Sequence, residues 1–441
     1  MSELVIRGGV VVTMDPERRV MLGDVWVKKG RIIAVGTRRR PRGKVTRIDA
    51  RGCIVMPGLV QSHVHLCQTL FRGHADDLPL LDWLRKRIWP YEAAHDRPSL
   101  RASARLGLAE MLLSGTTSIL DMGTVHHHDV VFESMNESGI RGLSGKAMMD
   151  RGRNMPAGLR ETTNASLEES HRLCERWHGA ADGRLGYAYA PRFVLSCSET
   201  LVREVAKAVG DREGVLMHSH AAEHAEERKA VKKALGRDDI DALASWGFEG
   251  PQAVLAHGVQ LRLGEMKRMG RAGTRVVHCP SANLKLASGI ANVTAMRAAG
   301  MRVGIGADGA PCNNRMDPWT ELRSAALLAK VRNENAAAFP AADVLELATC
   351  EGAKVLGLED EIGSLEVGKA ADIIVVERQG LHTVPGGDVY SDLVYATRAP
   401  DVRDVLINGE LIVRDRELRT LDVNKIRRDA RKQLAATMAR V

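Results

Sequence analysis

The chain has 441 residues, 44% of them hydrophobic and 27% charged, which excludes a disordered chain and a single small domain. Its formal charge of +8 invites a nucleic acid or a membrane surface as partner, but the surplus is localised. Arg38, Arg39, Arg40, Arg42 and Lys44 carry five positive charges, the tail from Lys425 carries a further net five, and the remainder is therefore at −2. Neither run is interleaved with aromatics, so platforms for base stacking are missing and no nucleic-acid partner is expected. The cysteines at 53, 67, 174, 197, 279, 312 and 350 form no CxxC pair, as expected of reduced thiols in a cytoplasm. The opening MSELVIRGG lacks the layout of a signal peptide, and no apolar run approaches the ~18 residues of a membrane span.

In chain order, the first 57 residues read as short strands at 4–12, 24–27 and 31–35, with Gly8-Gly9, Lys29-Gly30 and Gly52 at turns. From 58 to 362 short apolar strands alternate with helical stretches, the rhythm of a parallel sheet. Eight strands are predicted, at 58–66, 117–122, 141–148, 184–189, 215–220, 253–257, 275–278 and 302–307. Helices are predicted over 100–113 and over 201–209, where Leu201, Val205 and Val209 share a face. About 300 residues and eight βα units fit a (β/α)8 barrel. No Gly-x-Gly-x-x-Gly follows the first barrel strand, so a dinucleotide-binding open sheet has no support. After a turn-rich stretch at 363–368, β texture returns at 372–377, 393–397 and 402–412. The predicted class is α/β. A TIM-like barrel spans 58–362, a discontinuous β-sandwich takes 1–57 plus 363–415, and a basic helical tail occupies 416–441.

A barrel keeps its active site at the C-terminal ends of its strands. The first predicted strand ends in Gln61-Ser62-His63-Val64-His65, and two His two residues apart on a strand face the same way. The fifth runs into Met217-His218-Ser219-His220-Ala221-Ala222-Glu223. Either His218 or His220 can supply a third nitrogen, and Glu223 falls where a proton shuttle sits over a metal without binding it. The sixth strand ends at His257 and the eighth at Asp308, where Gly309 permits a tight turn. One His-x-His is an ordinary polar strand exit; four such strand ends in one barrel make a site. The set His63, His65, His220 and Asp308, with His257 close by, is nitrogen–oxygen chemistry suited to Zn2+ or Fe2+. Such an ion lowers the pKa of its water toward ~7; Asp308 can take the proton and His257 can orient the water. A second metal would call for a carboxylated lysine at the end of strand four, where Ala190-Pro191-Arg192 stands, so one divalent ion is expected.

These stretches carry a resemblance. PGLVQSHVHLCQTLFRGHADDLPLLDWL (57–84), HSHAAE (218–223), LAHGV (255–259), VVHCPSANLKLASGI (276–290) and IGADGAPCNN (305–314) are similar to the amidohydrolase superfamily, in its branch of adenosine-type deaminases and chlorohydrolases. The resemblance covers nearly the whole chain. It implies His63, His65, His220 and Asp308 as metal ligands, Glu223 as proton shuttle and His257 as the residue oriented on the water, and so favours His220 over His218. It also implies a homo-oligomer.

Within that branch the layout from Thr69 through Trp83-Leu84 and Ile88-Trp89-Pro90 resembles deaminases of 5'-deoxyadenosine, methylthioadenosine and S-adenosylhomocysteine. Glu92 falls where those enzymes place a carboxylate on the ribose hydroxyls. Two departures stand out: Lys146 replaces an arginine of the third strand, and Arg192 replaces a histidine of the fourth. Gln68 with Ala190-Pro191-Arg192-Phe193 looks instead like guanine deaminases, where Gln and Arg grip the purine edge. Arg192 reads equally as an ion pair at the barrel mouth, and Lys146 as a partner of substrate oxygen, Asp121 or Glu92. His126-His127-His128 are expected in a loop near the site, and Met148, Met149 and Met155 in the core. The expected reaction is hydrolytic deamination of a 5'-modified adenosine, a small-molecule partner. The rivals on the same scaffold are a guanine- or pterin-type deaminase and an s-triazine chlorohydrolase. A metal-binding scaffold without catalysis is disfavoured by Glu223, which a purely structural metal site would not need.

Overall fold

The computed structural model describes residues 3–37, 44–152, 155–210 and 212–441; Arg38, Arg39, Arg40 and Arg42 of the first basic run lie outside them. The chain opens with β1 (Glu3–Val12), β2 (Val20–Lys28), β3 (Arg31–Val35), β4 (Val45–Asp49) and β5 (Cys53–Pro57). Then come β6 (Leu59–Val64), β7 (Thr116–Met122), β8 (Arg141–Gly145), β9 (Ala147–Met148), β10 (Leu185–Pro191), β11 (Leu216–Ala221), β12 (Ala253–His257), β13 (Arg275–His278) and β14 (Val303–Ile305). The last strands are β15 (Ile373–Glu377), β16 (Val402–Ile407), β17 (Glu410–Arg414) and β18 (Glu417–Leu418).

Strands from both ends of the chain form one mixed sheet in the order β18-β17-β16-β15-β5-β1-β2-β3, with β4 also on β1. Its alternation serves two cores. Ile54, Met56, Ile374 and Val376 face the barrel side, whereas Cys53, Val55, Ile373 and Val375 enter a core of the sheet's own. The β3 edge comes back onto the segment leading into β15: Ile32 N donates to Lys369 O at 2.9 Å and Ala371 N to Gly30 O at 2.8 Å. The sheet thus wraps around its own core like a small sandwich.

The central strands are parallel, in the order β6-β7-β8-β10-β11-β12-β13-β14, with β9 beside β10. The barrel closes where Asp308 N donates to His63 O at 3.1 Å. Gly306 makes that seam possible, because a Cβ there would lie 2.4 Å from His63 O. The eight-stranded parallel barrel expected from the sequence is present. One expected strand is not: 393–397 lies in a helical stretch, Val389–Ser391 continuing into Asp392–Ala396. Asp388 caps it by accepting from Ser391 N at 2.9 Å, and local hydrogen bonding outweighs the β-branched texture of the segment. The stretch 402–412 divides into β16 and β17 around Asn408-Gly409, both at positive φ.

The helix Val423–Met438 packs on the helix Arg97–Leu113, its Lys425, Arg427, Arg428, Arg431 and Lys432 are exposed, and none of them lines the cavity at the strand ends. All seven cysteines are free. Among the described residues no helix is long and apolar enough to cross a membrane. A helical segment beginning with Leu80–Trp83 lies over the C-terminal mouth of the barrel.

Candidate active site

Four donor groups converge inside that mouth. His63 in β6, His65 just beyond it, His220 in β11 and Asp308 after β14 each present one ligand atom, all within 4.8 Å of one another. His65 Nε2 is 3.2 Å from His220 Nε2 and 3.3 Å from Asp308 Oδ1; His63 Nε2 is 3.4 Å from the same oxygen. The rings are aimed from behind. His65 Nδ1 and His220 Nδ1 each lie 2.7 Å from a carbonyl oxygen, of Met122 and Arg192, so those nitrogens carry the protons. His63 Nδ1 meets His218 Nε2 at 3.0 Å. The Nε2 atoms of His65 and His220 are thereby left with inward lone pairs, the tautomer a metal ligand requires. His63 Nε2 is buried without a hydrogen-bond partner, a nitrogen that a cation would satisfy.

Burial holds His63 and His65 well below the ordinary histidine range and His220 at about 3, so the imidazoles are neutral. Burial works against the charge of Asp308 too, but its surroundings, His257 foremost, outweigh it and hold this carboxyl below its usual value. Three neutral imidazoles and an ionised carboxylate fit a divalent cation.

Glu223 and His257 complete the arrangement. His257 Nε2 lies 3.6 Å from Glu223 Oε2 and 3.8 Å from Asp308 Oδ2, and its Nδ1 is 2.9 Å from Asn283 Oδ1. His257 and Asp308 sit at φ 77° and 61°, strained positions that aim the side chains inward from their strand ends. Burial, reinforced by the nearby Asp308, pushes the Glu223 carboxyl well above its usual value. Two carboxylic groups in one pocket are thus driven apart, Glu223 toward the acid and Asp308 toward the anion, a division suited to proton transfer.

A partly open cavity at the barrel mouth surrounds this cluster. Leu80, Trp83, Leu84 and Phe193 form an apolar wall, and Gln68, Arg192, Glu223 and Glu227 join the histidines on the polar side. Gln68 and Arg192 therefore stand where a ligand would meet them. Two other expected contacts do not. Glu92 is turned onto its neighbours: Arg192 holds it with both Nη atoms, the Nη2–Oε1 distance being 3.1 Å, and Gln68 Nε2 donates at 2.9 Å. It does not line the cavity, because a buried carboxylate is drawn to the guanidinium beside it. Lys146 also lies outside the cavity. Its Nζ is 2.7 Å from both oxygens of Glu161, and neither Asp121 nor Glu92 is its partner. The interruption between β8 and β9 falls at this residue, and Glu161 compensates the buried ammonium.

His128 is buried, with Nε2 2.9 Å from Ser144 Oγ, which donates to Asp121 at 2.6 Å; His126 and His127 are not on the cavity wall. Met148, Met149 and Met155 are core residues. Sequence reasoning did not single out Asn283, Glu161, Glu227 or Asp239. Asn283 lies inside a stretch already quoted for its resemblance, and Glu227 stands at the third position of a helix whose N-cap is His224, a capping pattern open to view. Glu161 and Asp239 meet their partners only in the fold, and nothing in their local sequence marks them.

Comparison with known proteins adds to this geometry. The amidohydrolase family model matches residues 54–412. The chain is 37% identical over 441 residues to a 5'-deoxyadenosine deaminase of Methanosarcina acetivorans, covering 100% of this chain and 99% of the relative. It is 39% identical over 439 residues to a 5-methylthioadenosine/S-adenosylhomocysteine deaminase of Halobacterium salinarum, covering 99% and 98%. A crystal structure of an adenosine deaminase from Xanthomonas campestris with bound zinc is 33% identical, superimposes with a TM-score of 0.92 and covers 99% of each chain.

Proposed function

The chain belongs to the amidohydrolase family, and on that premise we propose that it is a hydrolytic deaminase of 5'-modified adenosines. The reaction replaces the 6-amino group of the adenine ring by oxygen, consuming water and releasing ammonia with the inosine analogue. The observation that carries the reading is the placement of Glu223 and His257, 3.6 Å apart, beside the donor cluster of His63, His65, His220 and Asp308. The relatives at 37% and 39% identity, matched over the full chain, support an adenine nucleoside as substrate.

His63, His65, His220 and Asp308 would hold the metal, for which zinc is favoured by the donor set and by the zinc-bound relative. Bound there, it supplies Lewis acidity that makes hydroxide available at neutral pH. Asp308 Oδ2 takes a proton from the attacking water, and His257 Nε2 orients that water. Glu223 donates a proton to a ring nitrogen, which makes C6 a better electrophile; its carboxylate then takes the proton of the new C6 hydroxyl and passes it to the leaving amino group, which departs as ammonia. Leu80, Trp83, Leu84 and Phe193 exclude bulk water around the ring. Reduced thiols favour a cytoplasmic setting.

Gln68 and Arg192 on the cavity wall favour a second reading, an oxo-substituted ring such as guanine, whose carbonyl accepts from a guanidinium. The proton-transfer role is tested with Glu223→Gln. This variant should keep its metal content and fold and lose ~10²–10⁴ in kcat; retention of more than about a tenth of wild-type kcat removes Glu223 from general acid–base catalysis.

A further inference from the structure

The turn that carries Glu223 contains no glycine, yet Ala222 takes a φ of 50°, in the left-handed region. Something must hold it there. Three consecutive backbone N–H groups of this turn end on two carboxylates. Ala222 N donates to Asp239 Oδ2 at 2.5 Å; Glu223 N donates to Glu227 Oε2 at 3.2 Å, and His224 N reaches the same oxygen at 3.5 Å. Asp239 is fully buried and Glu227 is 1% exposed. The clamp is anchored in turn. Arg228 Nε lies 3.1 Å from Asp239 Oδ1, and the same guanidinium reaches Glu265 Oε1 at 2.5 Å and donates to Gln260 O at 2.6 Å. Gln260 N closes the loop by donating to Ala222 O at 2.8 Å. Both sides of Ala222 are therefore tied to the helices that follow β11 and to the loop after β12.

We propose that Glu227 and Asp239 are positioning residues: by capturing the N–H groups of residues 222–224 they fix the turn and aim the Glu223 carboxyl at the reacting atoms. This rests on the reading of Glu223 as proton carrier. A catalytic group displaced by about 1 Å can cost on the order of 10² in rate with little change in binding. Asp239 does not line the cavity, so its effect can reach the substrate only through the turn. Glu227 does line it, and a direct substrate contact there would show in KM.

The test uses the metal-loaded enzyme with 5'-deoxyadenosine and reads kcat and KM separately. Glu227→Ala and Asp239→Ala should each lower kcat ten- to a hundredfold and move KM by less than threefold. Glu227→Gln should recover most of the loss, since its carboxamide oxygen still accepts from the turn. In a Glu223→Ala background the same substitutions should cause no further loss, because residues acting through one group are not additive. Losses that multiply in that background, or that fall on KM, overturn the positioning role while leaving Glu223 as proton carrier. Full turnover by Glu223→Ala alone overturns the proton-carrier reading and the positioning role with it. Melting curves identify variants that fail to fold; if Asp239→Ala is one of them, the Glu227→Ala and Glu227→Gln pair decides.

Discussion

Arg192 and Glu92 meet as a two-pronged guanidinium–carboxylate pair with side chains no more than 3% exposed. Arg192 thus has two tasks, presenting one edge to the cavity and neutralising a carboxylate behind the wall. Removing one partner of such a pair strands the other charge in a low-dielectric setting, which typically costs about 3–5 kcal/mol. Arg192→Met should therefore destabilise the protein by that order, seen as a lower denaturation midpoint, and Arg192→Met/Glu92→Gln should recover much of the loss. An Arg192→Met protein as stable as wild type would show that the pair does not hold in solution.

Lys146 gives the converse case, a buried cation with no access to the cavity. Lys146→Met leaves Glu161 uncompensated and should lower stability by about 3 kcal/mol or more, while KM for the nucleoside stays within a factor of two or three. The double variant Lys146→Met/Glu161→Leu should restore stability. A KM raised tenfold with unchanged stability would return Lys146 to the substrate site.

His218 stands behind His63 and orients it at 3.0 Å. Partners of this kind tune affinity without binding the metal, and their loss typically costs about 10–100-fold. His218→Ala should weaken metal binding by that factor in a chelator competition, whereas His220→Ala should abolish tight binding. Equal and complete loss in both variants would make His218 a ligand.

Glu321 provides a pH dependence away from the donor cluster. It is buried and accepts from Ser281 N at 3.0 Å and Asn313 Nδ2 at 2.9 Å, and burial raises its carboxyl from 4.5 to about 7. The folded state thus binds this proton more firmly than the unfolded state. Its contribution is most favourable below pH 4.5 and is lost as the pH rises from there through about 7, by on the order of 3 kcal/mol. Denaturation midpoints at pH 5 and pH 8 should therefore differ more in the wild type than in Glu321→Gln. Identical pH slopes would contradict the raised pKa.

Much of this site was legible because its parts are local. His63 and His65 alternate on one strand, Glu223 follows His220 by a fixed step, and Asp308 sits at a strand end with a glycine after it. Such features survive in one dimension because the barrel gathers strand ends by construction. The contacts that decide Glu92, Arg192 and Lys146 are of another kind. Arg192 lies 100 residues from Glu92 and could be read as a substrate contact or an ion pair until both were placed. Lys146 finds Glu161 only because the chain turns back after β9. The segment 393–397 misled for a related reason, since Leu393 and Val394 are buried, but on a helical turn capped by Asp388. The basic residues of the tail helix mark surface and say nothing about the reaction.

The most direct test is ammonia release by the metal-loaded enzyme from 5'-deoxyadenosine, methylthioadenosine, S-adenosylhomocysteine, adenosine and guanine, with an s-triazine chloride assayed for chloride in parallel. The account predicts ammonia and the matching inosine analogue from one or more of the 5'-modified adenosines, at a kcat/KM exceeding that for guanine by at least tenfold. Ammonia from guanine alone, or chloride with no ammonia from any adenosine, would contradict it.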